Sequence, residues 1–153
     1  RPNYIDYIES SLLMGFTGIQ RFSSVASTKI KNNILKQDNK SKLQELALAS
    51  QEGIDLFANE ADISENARVS RICRDIKMSM NEDENNKDLQ ELITATEDAG
   101  SLCTRVIGAG GGGFFICWAP NYRHQEVMSK VNVKTWVKVR FSKLGCQLIF
   151  AEP

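Results

Sequence analysis

Histidine is almost missing from this sequence: His124 is the only one among 153 residues. A Ser/His/Asp triad would have to use it, and no serine-elbow pattern accompanies it, so a hydrolase is disfavoured. Paired cysteines are missing as well. Cys73, Cys103, Cys117 and Cys146 stand far apart, and no C-x-x-C pair exists to chelate zinc or run redox chemistry. Each lies in an apolar pattern, as expected of buried free thiols in a reducing, cytoplasmic compartment. Neither sign of charge is in excess, since 19 Lys and Arg balance 19 Asp and Glu. Dedicated binding to nucleic acid or to an anionic membrane needs surplus cations and is therefore not expected. No apolar run is long enough to cross a bilayer, and the N-terminus lacks the charged-then-apolar order of a signal peptide. A leading methionine is missing too. The chain opens at Arg1, as a fragment or a processed product would.

What is present is an ordinary globular composition, 42% hydrophobic and 25% charged, sized for one domain with a real core. Arg1–Ile8 reads as a polar and aromatic lead-in. Ser11–Thr17 has the character of a strand with Gly18 as a break. Ser23 or Ser24 predicts the N-cap of a helix to about Lys36, followed by a polar turn over Gln37–Lys40. Ser41 and Gln44 have capping-box spacing. Leu43, Leu46, Ser50, Ile54 and Phe57 then recur at helical intervals to about Asn59, interrupted only by Gly53. Val69, Ile72, Cys73, Ile76 and Met80 form a second helical stripe. Asn81–Lys87 is an exposed, mostly acidic link, and Leu89, Leu92, Ile93, Thr96 and Ala99 make a third stripe that Gly100 can close.

Beyond Gly100 the period changes. Leu102–Ile107 and Phe114–Trp118 read as strands on either side of a glycine run, Pro120 and Asn121 start a short helix to about Val131, and Trp136–Phe141 and Cys146–Ala151 are two more strands joined by Ser142–Gly145. In the first of these Val137, Val139 and Phe141 share one face, with Trp136, Lys138 and Arg140 on the other. Helices and strands are segregated rather than strictly alternating, which predicts an α+β fold with helices packed on one side of an antiparallel sheet.

The stretch richest in chemistry is Arg105–Phe114. Five of the six residues Gly108, Ala109, Gly110, Gly111, Gly112 and Gly113 lack a Cβ. Such a run admits positive φ and lets another surface approach the backbone amides, and successive N–H groups pointing inward favour anions, phosphate above all. Gly108-x-Gly110-x-x-Gly113 satisfies the dinucleotide fingerprint, but that motif requires a helix to follow, and Phe114–Trp118 reads as strand. A Walker-A loop needs Lys and Ser/Thr where Phe114 and Phe115 stand. The plain alternative is a hairpin whose glycines only fit a tight bend.

The segment Gly108-Ala-Gly-Gly-Gly-Gly-Phe114, entered from a strand and followed by an apolar strand ending at Ala119-Pro120, resembles the third conserved motif of the GHMP kinases, the superfamily of galactokinase, homoserine kinase, mevalonate kinase and phosphomevalonate kinase. Two further segments are similar to the heptose 7-phosphate kinase-like sugar kinases within it: Phe16-Thr17-Gly18-Ile19-Gln20-Arg21-Phe22-Ser23-Ser24, and the helix end Ala99-Gly100-Ser101. The resemblance runs along essentially the whole chain.

It implies a ferredoxin-like C-terminal domain over residues 1–153, an antiparallel sheet with helices packed on one face. The N-terminal ATP-binding domain, with its Pro-x-x-x-Gly-Leu-Gly-Ser-Ser-Ala phosphate loop and general base, is not in this sequence. The resemblance further implies transfer of the γ-phosphoryl group of ATP, with Mg²⁺, to a hydroxyl of a sugar or sugar phosphate. The glycine run would pack beside the phosphate loop, and Thr17, Arg21, Lys77 and Arg105 are the expected substrate-binding residues. One wall of an active site is present, so the isolated chain is expected to be inactive. The rival reading is a non-catalytic binding or regulatory module of the same fold. The carboxylates in Glu60–Glu65 and Glu82–Glu84 lack the order of a calcium loop and are expected to be solvated. Trp118, Trp136 and Phe150 are expected in the core, since no basic groove accompanies them.

Overall fold

A computed structural model of the chain describes residues 3–18, 39–80, 87–108, 112–142 and 144–145. The elements are α1 (Tyr4–Ser10), β1 (Leu12–Phe16), α2 (Lys40–Ala58), α3 (Ile63–Met80), α4 (Lys87–Asp98), β2 (Cys103–Val106), β3 (Phe114–Trp118), a 3₁₀ turn (Asn121–Arg123) leading into α5 (His124–Lys130), and β4 (Trp136–Lys138). The four strands form one sheet in the order β2-β3-β1-β4. Every pairing is antiparallel, and the α+β class expected from the sequence is the fold observed.

The pleat sends alternate residues to opposite faces. Leu13, Phe115 and Cys117 point to one face and join Leu92, Ala95 and Ala99 at α4 and Val127 and Met128 of α5 in a core. Contrary to the expectation from the sequence, helices are not confined to that face: α1 and the start of α3 cover the opposite face of the sheet. There Tyr4, Ile8 and Ile63 pack with Leu12, Met14, Ile116 and Trp118. A third cluster, Ala49 and Val69 with Cys73, locks α2 to α3. Trp118 and Trp136 both pack against these cores, as expected; Phe150 lies outside the described residues.

Several local readings are met closely. β3 covers Phe114–Trp118, and Gly100 closes α4 with φ +103°. The N–H of Gly100 donates to the Glu97 carbonyl at 3.0 Å and that of Ser101 to the Thr96 carbonyl at 3.0 Å, the paired bonds of a Schellman end.

Others need correction. Residues 4–10, within what reads in sequence as a polar and aromatic lead-in with no assigned element, are helical. The hydroxyl of Tyr4 donates to the Ala61 carbonyl at 2.9 Å, and that of Tyr7 to Asp62 Oδ2 at 2.8 Å. Partners more than 50 residues away thus hold a helix too short to stand alone. The capping box is not formed either: α2 begins at Lys40 with buried Asn39 in the N-cap position. Ser41 then lies inside the first turn. β4 ends at Lys138, short of Phe141, because beyond it the chain turns to Glu9, whose carboxylate accepts from the Phe141 N–H at 2.7 Å and pairs with Arg140. The helix expected near 24–36, the acidic link over 81–86 and the strand at 146–151 lie outside the described residues.

Candidate functional site

The glycine run connects two antiparallel neighbours. The N–H of Ile107 donates to the Phe114 carbonyl at 2.8 Å, so the hairpin loop spans residues 108–113. Gly108 and Gly113 both have φ near +83°, a region that L side chains avoid. A Cβ at either would have no heavy atom within 4 Å. Backbone conformation therefore dictates glycine at the two ends of the loop, and neighbouring packing does not. Ala109, Gly110 and Gly111 lie outside the described residues; Gly112, half-buried, follows them.

β1 brings its C-terminal end to the same edge. The N–H of Thr17 donates to the Gly113 carbonyl at 2.8 Å, the Phe16 and Phe114 rings lie 5.2 Å apart, and Gly18 turns away at φ +79°. Two strand ends and the glycine loop thus converge at one end of the sheet.

Two cavities lie on opposite faces of the sheet. Thr17 lines one of about 320 Å³ with Asp88, Glu91 and Leu92 of α4 and with Lys130 and Asn132 at the end of α5. Lys77 of α3 and Arg105 of β2 line another of about 810 Å³, together with Gly108, Ile116 and Trp118. Arg105 pairs with Ile116 across the β2–β3 ladder, so both belong to the face that carries α1 and α3. Of the expected substrate-binding residues, the fold brings Lys77 and Arg105 to one cavity and places Thr17 at the other. Arg21 lies outside the described residues.

Lys130 and Asn132 escaped sequence reasoning. Nothing in the order of residues says that the end of α5 returns to the end of β1. The apolar wall of the larger cavity is visible in the sequence only as the first two helical stripes and two strands.

Cys73, Cys103 and Cys117 are buried and free. Burial pushes the Cys103 and Cys117 thiols up to about 11, far from the thiolate form a nucleophile needs. The His124 ring lies 3.0 Å through Nε2 from the Ala119 carbonyl. Among the described residues no group of three or more His, Cys, Asp or Glu could hold a metal ion, and no helix is long and apolar enough to cross a membrane.

No protein-family model matches this sequence, and no curated protein matches it. Among solved structures it is similar to the mevalonate kinase of L. major, crystallised in complex with R-mevalonate, with a TM-score of 0.70 at 12% identity over 83% of this chain. The match spans 40% of that kinase's chain. At this identity the likeness is one of fold.

Proposed function

We propose that this chain is the C-terminal domain of an ATP-dependent small-molecule kinase of the GHMP type, which transfers a phosphoryl group to a hydroxyl of a sugar or sugar phosphate. The observation that carries the reading is the hairpin at residues 108–113, with a positive-φ glycine at each end, open space where side chains would stand, and a fold shared with a kinase. A loop so built can lie against a phosphate-bearing neighbour without steric cost. Thr17, tied by its backbone to Gly113, sets the position of the loop's exit and offers a hydroxyl on the acceptor side. Arg21 follows in the same segment and is assigned to the sugar phosphate.

ATP supplies the transferable phosphoryl group, and bound Mg²⁺ offsets charge on its phosphates. The glycines at the two ends of the loop leave room for the phosphate end of such a ligand. The described residues offer no ligand set for the metal, which belongs with the nucleotide and the N-terminal domain. Catalysis is accordingly assigned to the two domains joined.

The test is a coupled ADP-release assay on the protein encoded by the complete reading frame, with a panel of sugars and sugar phosphates. Sugar-dependent turnover by that protein, and none by residues 1–153 alone, is the expected result. No turnover with any acceptor would leave the chain a binding module. Arg21→Ala should raise KM for a sugar phosphate more than KM for ATP, by the about 1.5–3 kcal/mol of one charge-assisted hydrogen bond.

A further inference from the structure

We infer that the cavity between α2, α3 and the sheet binds an amphiphilic anion, a small ligand with a phosphate head and an apolar body. Its volume of about 810 Å³ lies within the range of small-molecule sites. Leu12, Ile116 and Trp118 of the sheet form one wall, and Phe57 of α2 and Val69 of α3 form the other. The polar side chains in this lining are already committed. Ser70 Oγ accepts from Trp118 Nε1 at 2.9 Å, Ser50 Oγ donates to the Leu46 carbonyl at 2.7 Å, and Asn66 Nδ2 is bonded to Tyr4 Oη and the Ala61 and Asp62 carbonyls. A sugar here would leave most of its hydroxyls without partners, which is costly in an apolar lining.

Two side chains break this pattern. Lys77 and half-buried Arg105 reach the cavity as cations, and neither makes a hydrogen bond or ion pair with another described residue. A guanidinium against apolar surface calls for an anion, and a phosphate can accept charge-assisted hydrogen bonds from both groups. Gly108 lines the same cavity with open space at its Cβ position, leaving room for a head group there. The site shares Gly108 with the loop assigned to phosphoryl transfer, but its two cations and apolar walls play no part in that reading, and Thr17 lies at the other cavity, across the sheet.

Calorimetric titration of the intact protein with decyl phosphate, kept below its micelle concentration, tests it. Inorganic phosphate, glucose 6-phosphate and 1-decanol are the comparison ligands. Decyl phosphate should bind saturably and more tightly than all three. Arg105→Gln and Lys77→Gln should each weaken it on the order of tenfold while leaving the affinity for decanol unchanged. Ser50→Phe, which fills the cavity from α2, should abolish binding with the melting temperature retained. Absence of saturable binding overturns the inference, as does binding that neither Gln variant weakens. Glucose 6-phosphate binding as tightly as decyl phosphate overturns it too, and would return Lys77 and Arg105 to the sugar phosphate. None of these outcomes depends on the ADP-release assay.

Discussion

Arg74 and Glu97 close the outer edge of the sheet together. Thr104, in outer strand β2, turns its own N–H and carbonyl away from β3. The N–H donates to Glu97 Oε1 at 3.0 Å and the carbonyl accepts from Arg74 Nη1 at 2.9 Å, while the two side chains pair with each other at 2.5 Å. An ion pair from α3 and α4 thus takes the place of a neighbouring strand. Unpaired edges invite association with other chains, and this one is covered at its centre.

Glu97→Ala should therefore cost about 1–3 kcal/mol, because it leaves the Thr104 N–H without its acceptor, while Arg74 loses one partner and keeps the Thr104 carbonyl and Asp75. Arg74→Leu with Glu97→Leu frees both the N–H and the carbonyl of Thr104 and should associate with rising concentration through the bared edge. Urea titration reads the first effect and size-exclusion chromatography the second.

Gly15 in central strand β1 is fixed by packing. A Cβ there would stand 2.5 Å from Phe115 Cζ and 3.2 Å from Trp136 Cζ3. Phe115 is fully buried and meets Trp136 edge-on at 5.5 Å, so its ring cannot withdraw freely. Gly15→Ala should destabilise by about 1–3 kcal/mol through overpacking. Adding Phe115→Leu should recover part of that loss, measured as a double-mutant cycle in urea.

Glu9 makes stability depend on acid. The Phe141 N–H and the Arg140 guanidinium hold its carboxyl below the usual carboxylate range. The unfolded chain then binds the proton more readily than the folded one. The contribution is fully present above the unfolded pKa and is lost as pH falls through the folded value. Melting temperatures taken from about pH 6 downward should drop less steeply in Glu9→Gln than in the parent. Parallel curves would remove Glu9 from the acid response.

Gly113 separates a loop that only turns from one that serves phosphoryl transfer. Its φ of +83° makes Gly113→Ala strained by about 1 kcal/mol, with Gly113→Asn milder because Asn tolerates this region better. The space around its Cβ is open, so neither variant clashes within the chain. If the full-length protein shows the proposed turnover, a loss larger than the unfolded fraction explains would place the loop at the reacting groups. Turnover that follows the melting curve would place it outside them.

The sequence by itself determined the parts governed by short-range forces. The stripes of α3 and α4, the cap at Gly100, the strand Phe114–Trp118 and the hairpin between it and Cys103–Val106 follow from side-chain period and from backbone freedom, which neighbouring residues carry. Tertiary structure decided what depends on distant partners. α1 is helical because Tyr4 and Tyr7 find acceptors at Ala61 and Asp62; Gly15 is required because Phe115 and Trp136 arrive over it from other strands. The candidate site divided for the same reason. Thr17, Lys77 and Arg105 were grouped by their chemistry, but the strand order and pleat put Arg105 on the face shared with α3, and the packing of α4 and α5 closes the other cavity beside Thr17. Which face a residue occupies is fixed by long-range register, and a slip of one position would reverse it.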